Sequence, residues 1–194
     1  ATRVNADGNI EKETQNLLRY SNVFDNANWT KSNSSVTSGQ SGYDGTNDAW
    51  LLTKTAANGN IYQSQGYSGV HTLSFYAKAN ASDWIRVRNG SGYVYFDVAN
   101  SVVGGNINAI SPSITSVGSG WYRCEVAWSG SIGISQLFVA DSDGSISGTS
   151  GSVYIQNPQL EQGLVSKTYI NAPTNPVYGG ITDNTPRLDY TDSS

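Results

Sequence analysis

The sequence is poor in cysteine, histidine and charge, and each shortage excludes a class of chemistry. Of the 194 residues, one is cysteine, one is histidine, none is methionine, and charged residues make up 13%. A single cysteine excludes an internal disulfide and a cysteine-rich metal site. No apolar run approaches the ~20 residues that a membrane-spanning helix needs, so we expect no membrane insertion. The net charge of −4, without any basic run, argues against nucleic acid as a main partner.

Glycine and small polar residues are abundant instead. There are 21 glycines, and together with frequent Ser, Thr and Asn they disfavour long helices. Short segments alternate between apolar and polar side chains, which indicates β-strands separated by polar turns. The predicted strands are 49–53, 60–65, 70–79, 84–88, 93–98, 121–129, 134–140 and 153–161. The stretches 32–42, 104–120 and 141–151 are predicted to be connections.

The number and spacing of these strands predict an all-β fold. We expect an antiparallel two-sheet β-sandwich of the jelly-roll type, because each strand must bury one face against a second sheet. The sandwich is predicted over 16–170, after a polar lead-in or linker at 1–15 and before a proline-containing tail or linker at 171–194. The alternation predicts a core that contains Ile85, Val87, Val94, Phe96, Cys124, Val126 and Trp128.

The opposite face of three strands carries side chains suited to binding sugars. An aromatic ring offers an apolar surface to a pyranose ring, while arginine and carboxylate groups hydrogen-bond its hydroxyls. The alternative is an ordinary solvated sheet face, on which tyrosine and arginine are common. The candidate ligand-binding residues are Trp84, Arg86, Arg88, Tyr93, Tyr95, Asp97, Trp121, Arg123 and Glu125.

Two acidic turns are candidates for a bound cation. Asp141 and Asp143 lie in the segment DSDGS, and Asp44 and Asp48 lie in YDGTND. Carboxylate oxygens are preferred ligands of Ca²⁺, although neither segment has the spacing of an EF-hand loop. The alternative is a plain turn, because aspartate and glycine are frequent turn residues.

Catalytic residues are few. The lone histidine, His71, lies within a predicted strand, and the pattern does not assemble a Ser/His/Asp arrangement. Hydrolysis of a glycoside requires two carboxyl groups a few ångströms apart. Asp97 and Glu125 are the one pair that the alternation places on outward faces, so a polysaccharide-cleaving enzyme remains an alternative.

Four segments in a fixed order resemble a known family. These segments are NLLRYSNVFDNANWTK, LSFYAKA, GSGWYRCEVAW and SGSVYIQNPQLEQG. Their order is similar to that of the jelly-roll carbohydrate-binding-module-like domains of bacteriophage virion and tail-fibre proteins, which also occur in secreted polysaccharide-degrading enzymes. The resemblance covers roughly residues 16–170.

The resemblance implies non-catalytic binding of a polysaccharide or cell-surface glycan. It also implies an extracellular or virion location, neighbouring domains in a longer chain and a structural calcium ion. A second hypothesis is a decoration or spacer domain of a virion fibre that binds no ligand.

Overall fold

The computed structural model describes residues 2–4, 10–12, 14–90 and 92–179. All regular elements in this part of the chain are β-strands, and it contains no helix that is long and apolar enough to cross a membrane. The strands are β1 (Thr2–Val4), β2 (Ile10–Lys12), β3 (Gln15–Asn16), β4 (Thr30–Ser32), β5 (Ser34–Gln40), β6 (Ala49–Lys54), β7 (Asn60–Ala79), β8 (Trp84–Asn89), β9 (Gly92–Asp97), β10 (Val102–Ile107), β11 (Ile110–Gly118), β12 (Trp121–Ala140), β13 (Ser152–Gln162) and β14 (Val177–Tyr178).

Strands β4 to β13 form two antiparallel sheets that share β7 and β12, each of which is 20 residues long. The first sheet has the order β5-β6-β13-β7-β12-β11 and uses the second half of β7 and the first half of β12. The second sheet has the order β4-β7-β12-β8-β9-β10 and uses the other halves of the two long strands. This arrangement confirms the predicted antiparallel jelly-roll sandwich.

The two long strands pass from one sheet to the other at a pair of glycines. Gly69 and Gly130 lie opposite each other in the ladder, with φ angles of 99° and 112° that side chains rarely adopt. The register shifts nearby, between Ile132 and Ile134. Such irregularities bend a strand and let it change sheets. The prediction of four separate strands in these regions was therefore wrong, because hydrogen bonding continues through the glycines.

Two predicted connections also contain strands. The segment 32–42 includes β5, and the segment 104–120 includes β11 and much of β10. In the strand order, β5 and β11 each pair with a single neighbour and expose small polar side chains, so they lack the apolar alternation that identifies a strand. Pro112 is accommodated because it falls in a register shift between Ile110 and Ser113. The predicted connection at 141–151 is confirmed, apart from one isolated bridge.

The predicted core is confirmed at all seven positions. Trp128 is 3% exposed, and the other six side chains are fully buried. Phe75 of β7 meets Phe96 of β9 edge to face, with ring centroids 6.2 Å apart. The alternation was thus assigned in the correct sense, so the odd-numbered residues of β9 and the even-numbered residues of β8 point away from the core.

The segment after residue 170 is docked on the sandwich as far as it is described. Strand β14 pairs with β3, the backbone N–H of Ser21 donates to Ala172, and Ala172 is fully buried. Strands β1 and β2 pair within the predicted lead-in. Residues 180–194 of the predicted tail lie outside the described residues, and the proposed domain limits at 16 and 170 stay a prediction.

Candidate functional site

Outward-pointing residues of the second sheet form a surface that we call the arginine face, which comprises Trp84, Arg86, Arg88, Tyr93, Tyr95 and Phe138. In the strand register, Arg86 lies between Tyr95 of β9 and Phe138 of β12. Its guanidinium carbon is 4.4 Å from the ring centroid of Tyr93, 5.6 Å from that of Tyr95 and 5.1 Å from that of Phe138. These distances are those of cation–π contacts, so three rings hold the guanidinium in place.

Two of the three rings that contact Arg86 are too buried to stack on a sugar. Tyr95 is 4% exposed and Phe138 is 5% exposed. Burial raises the pKa of Tyr95, Arg86 opposes the rise, and Asp143 and Asp141 add to it. Trp84 and Tyr93 remain half-buried. A stacking surface on this face therefore stays a prediction, and of the predicted aromatic residues on it only Trp84 and Tyr93 have exposed ring surface.

Arg88 is oriented by uncharged groups. Its Nε donates to the carbonyl oxygen of Gly90 at 2.9 Å, and its Nη1 lies 3.5 Å from Oε1 of Gln136. Gln136 is itself fixed, because its Nε2 donates to Oδ1 of Asn60 at 2.7 Å. The two arginines therefore stand side by side on β8, each supported by neutral neighbours.

Asp97, the carboxylate predicted to act beside these arginines, is engaged elsewhere. Its Oδ1 accepts hydrogen bonds from the backbone N–H groups of Ala99 and Asn100, at 3.0 and 2.9 Å. Its Oδ2 accepts from Nδ2 of Asn100 at 3.0 Å, and the residue is 6% exposed. These contacts stabilise the turn after β9, so this carboxylate has a structural function in the fold.

The remaining predicted ligand-binding residues lie on the first sheet. Trp121 is 2% exposed. Nη2 of Arg123 is 3.3 Å from Oε1 of Glu125 and donates to Oγ of Ser166 and to the carbonyl oxygen of Lys167, both at 2.8 Å. The pair therefore holds the segment after β13. The structure does not bring these residues together with the arginine face, because β12 has crossed to the other sheet.

The same crossing removes the candidate catalytic pair. Asp97 belongs to β9 of the second sheet, and Glu125 belongs to the half of β12 in the first sheet. The prediction that these two carboxylates share one face is therefore wrong. Sequence alternation describes which side of its own sheet a residue occupies, but it does not describe which sheet that is.

A cleft of 430 Å³ opens on the outer side of the first sheet. We call it the tyrosine cleft. Tyr43 and Tyr76 stack with ring centroids 3.6 Å apart and ring planes 7° from parallel. The backbone N–H of Tyr43 donates to Oε1 of Gln156 at 3.0 Å, which fixes the loop that carries the ring. The lining residues are Asn22, Val23, Tyr43, Asp44, Asp48, Tyr76, Asn157, Thr168, Tyr169 and Asn171.

The phenol groups of Tyr76 and Tyr169 stay protonated at ordinary pH. Burial, with a smaller contribution from Tyr43, raises the pKa of Tyr76 to about 12. Burial likewise raises the pKa of Tyr169 to about 12, although a hydrogen bond with Ser21 acts in the opposite direction. The hydroxyl of Tyr169 donates to Oδ1 of Asn171 at 3.1 Å. Both phenols can therefore exchange hydrogen bonds with a bound hydroxyl group.

Asp44 and Asp48 converge at one side of the cleft. Oγ1 of Thr46 lies 2.6 Å from Oδ1 of Asp44 and 2.5 Å from Oδ1 of Asp48. Nε2 of Gln156 donates to both carboxylates. Although partial burial acts in the opposite direction, hydrogen bonds from Thr46 and Gln156 lower the pKa of Asp44 below its ordinary value. A Ca²⁺ ion here would need Gln156 to present its Oε1 in place of its Nε2.

The carboxylates of the second acidic turn already contact other groups of the protein. Oδ1 of Asp141 lies 2.7 Å from Nζ of Lys54, which already supplies a positive charge. Oδ1 of Asp143 instead accepts from the backbone N–H of Gly105 at 2.8 Å. The described part of the chain contains no group of three or more His, Cys, Asp or Glu side chains placed to hold a metal ion. A structural calcium ion stays a prediction, and Asp44 with Asp48 is the better place for it.

Sequence reasoning missed the three tyrosines of the cleft. The outward position of Tyr76 could have been read from its neighbours, since Phe75 and Ala77 are both core residues of β7. Tyr43 and Tyr169 lie in irregular segments with no periodic signal. Only the folded chain brings these two residues to the surface of β7.

No family model and no curated protein matches the sequence. Among solved structures, the chain is similar to the CBM22-1 and GH10 modules of endo-1,4-beta-D-xylanase 10B from Clostridium thermocellum, complexed with xylohexaose. That match has 10% identity and a TM-score of 0.46, and it covers 79% of this chain and 29% of that one. A xylan-binding domain from Paenibacillus barcinonensis matches with 16% identity and a TM-score of 0.43, over 81% of this chain and 99% of that one.

A third similar structure is the enzymatically active domain of a tailspike protein of bacteriophage CBA120. It matches with 19% identity and a TM-score of 0.39, over 77% of this chain and 21% of that one. The chain therefore spans less than a third of the xylanase and tailspike chains. All three likenesses are distant, and the jelly-roll assignment rests on the two sheets described above.

Proposed function

We propose that this domain is a non-catalytic glycan-binding module whose ligand lies in the tyrosine cleft. The observation that carries the proposal is the composition of that cleft: a 430 Å³ space that joins a stacked pair of tyrosines to carboxylate and amide side chains. Aromatic rings bind the C–H face of a sugar, and convergent polar groups orient its hydroxyls.

The charges of the cleft favour a neutral glycan. Asp44 and Asp48 accept hydrogen bonds from sugar hydroxyls and repel carboxylate or sulfate groups. Asn22 and Asn171 also line the cleft, and their amide groups carry both donors and acceptors. Stacking on Tyr43 adds apolar contact that does not depend on ionic strength. We therefore expect a neutral polysaccharide or cell-surface glycan as the ligand.

The protonation of the cleft supports binding over cleavage. Glycoside hydrolysis uses one carboxyl group as a general acid, and the pKa of that group must be raised. Hydrogen bonds instead lower the pKa of Asp44, against the effect of its partial burial. Burial also raises the pKa of the Cys124 thiol well above its usual value, which leaves it unreactive as a nucleophile.

The wider setting of the domain is part of the proposal. We place it outside the cell or on a virion, as one module of a longer protein such as a phage tail fibre or a secreted polysaccharide-degrading enzyme. The order of the four segments, from NLLRYSNVFDNANWTK to SGSVYIQNPQLEQG, supports this setting. The alternative is a decoration or spacer domain, and it differs in binding no glycan.

Affinity electrophoresis against neutral polysaccharides tests the proposal. Tyr43→Ala should weaken binding by about tenfold, as expected when one aromatic stacking contact is lost. Tyr178→Ala is the matched control, since Tyr178 is 59% exposed and does not line the cleft. Equal binding by parent and Tyr43→Ala would exclude the cleft. Failure of the parent to bind any glycan would favour the spacer, and release of reducing ends would favour an enzyme.

A further inference from the structure

The arginine face carries two positive charges that form no ion pair with a described acidic side chain. Asp143 and Asp141 lie near enough to raise the pKa of Tyr95, but neither pairs with an arginine of this face. Among residues 14–90 and 92–179, the ion pairs within 4 Å involve Lys54 with Asp141 and Arg123 with Glu125, and neither Arg86 nor Arg88 takes part. Asp97 is turned into its own backbone turn. Cationic side chains that are held in place without an ion-pair partner can bind an anion from outside.

The guanidinium of Arg86 is also partly removed from water. Its Nε is buried and has no hydrogen-bond partner, while three aromatic rings surround the group. A half-buried arginine on aromatic rings keeps its planar fork in one orientation. The cost of ordering this side chain has already been met in the free protein, so a bound carboxylate or sulfate gains more from the contact.

Arg88 provides a second donor group at a suitable spacing. The two residues are separated by one position on β8, so their side chains leave the same side of the sheet ~7 Å apart. Nε and Nη1 of Arg88 contact Gly90 and Gln136, which hold the guanidinium without neutralising it. Two fixed guanidinium groups at this spacing can each bind one charged group of a polymer, or can bind a single charged group between them.

We infer that the arginine face is a second binding site, which takes the carboxylate or sulfate groups of an acidic polysaccharide. It lies on the opposite sheet from the tyrosine cleft and has the opposite charge preference. The small number of charges favours a polysaccharide over a nucleic acid. The sequence has no basic run that could neutralise the successive phosphates of a nucleic acid, whereas two arginines suffice to hold individual carboxylate or sulfate groups.

Binding to charged and uncharged polymers tests this site independently of the cleft. Polygalacturonate supplies carboxylates, dextran sulfate supplies sulfates, dextran is the uncharged control, and single-stranded DNA represents nucleic acids. The parent should bind at least one of the two acidic polysaccharides more tightly than dextran or DNA. Its affinity for that polymer should fall steadily as salt is raised, because the attraction is between exposed charges.

Three variants with the same change of charge locate the site. Arg86→Gln and Arg88→Gln should each weaken binding to the acidic polymer by about tenfold, the usual consequence of losing one charge-assisted fork. Arg123→Gln is the matched control, because Arg123 lies on the other sheet and is paired with Glu125. Arg86 also packs on three rings, so Arg86→Gln can lower the melting temperature. In that case the test relies on Arg88→Gln, whose melting temperature should equal that of the parent.

Three results would overturn the inference. One is that the parent binds neither acidic polysaccharide, or binds DNA more tightly than both. Another is that Arg88→Gln binds as the parent does. The last is that Arg123→Gln weakens binding as much as Arg88→Gln, since the effect would then reflect net charge alone. Tyr43→Ala should lose binding to neutral glycans and keep binding to the acidic polymer. The two proposed sites are therefore tested independently of each other.

Discussion

The ammonium group of Lys54 lies 2.7 Å from Oδ1 of Asp141, and the Lys54 side chain has no exposed surface. Nζ of Lys54 also lies 3.3 Å from the carbonyl oxygen of Ile146, and the backbone N–H of Gly148 donates to Oδ2 of Asp141 at 2.7 Å. The pair therefore ties the end of β6 to the loop before β13. Because Lys54 is buried, removal of Asp141 would leave its charge without a partner in a dry environment.

Replacement of Asp141 by Asn should destabilise the protein. The change leaves the Lys54 ammonium buried without a counter-charge, which costs about 3 kcal/mol when one partner remains partly exposed. Asp143→Asn is the matched control, because Asp143 lies in the same loop and accepts a hydrogen bond from a backbone N–H group. The side-chain oxygen of an asparagine can accept the same hydrogen bond. Urea unfolding at neutral pH measures both variants. Similar free energies of unfolding for the two would show that the pair adds little.

The contribution of this pair should disappear in acid. Partial burial tends to raise the pKa of Asp141, but the hydrogen bonds from Lys54 and Gly148 outweigh it and lower the pKa below its ordinary value. A carboxyl group with a lowered pKa in the folded state stabilises the protein above the unfolded pKa of about 3.9, and the stabilisation is lost as pH falls through the folded pKa. The difference between parent and Asp141→Asn should be constant near neutral pH and shrink below about pH 4. A difference that persists in strong acid would contradict this assignment.

Period-two alternation predicted the parts of the fold in which one face of a strand is buried. It identified most of β8 and β9 and placed Ile85, Val87, Val94 and Phe96 correctly in the core, because the core imposes the pattern on the sequence. It failed where this constraint is missing. The edge strand β5 carries no apolar stripe, and the glycines at 69 and 130 look like a loop although their backbones remain paired.

The candidate sites were only partly predictable for a related reason. Arg86 and Tyr95 could be placed on one face, but the covering ring of Phe138 depends on the pairing of β12 with β8, which alternation does not determine. The tyrosine cleft depends on irregular segments that fold back onto β7. Such long-range proximity is set by the topology of the sandwich, and it leaves no local pattern at Tyr43 or Tyr169.

Truncation of Phe96 should be among the most destabilising changes in the core. The side chain is fully buried and contacts Phe75, so Phe96→Ala leaves a cavity and should cost ~3–5 kcal/mol. Val102→Ala is a suitable control, since Val102 is 45% exposed on β10 and should change stability by less than about 0.5 kcal/mol. Denaturant unfolding compares the two. A loss below about 1 kcal/mol for Phe96→Ala would show that the core relaxes around the missing ring.

Calcium should raise the melting temperature if the convergent pair Asp44 and Asp48 binds it. A ligand that binds only the folded state stabilises that state by mass action. The shift should be lost in Asp48→Asn and retained in Asp143→Asn, because Asp143 is engaged by the backbone of Gly105. Thermal unfolding in chelator and in millimolar calcium makes the comparison. Identical melting of the parent in both conditions would show that calcium does not stabilise this protein.

Binding in the tyrosine cleft should be insensitive to both salt and moderately alkaline pH. Burial raises the pKa values of Tyr76 and Tyr169 to about 12, so both phenols keep their protons and their hydrogen bonds up to about pH 10. Affinity for a neutral glycan, measured by calorimetry, should then be constant from about pH 6 to pH 10 and over a wide range of salt concentration. Tyr76→Phe separates the hydroxyl from the ring: it should weaken binding by less than the loss of the Tyr43 ring does, because it leaves the stack intact. An affinity that falls with a midpoint near pH 9, or that declines with added salt, would place the neutral glycan elsewhere on the sandwich.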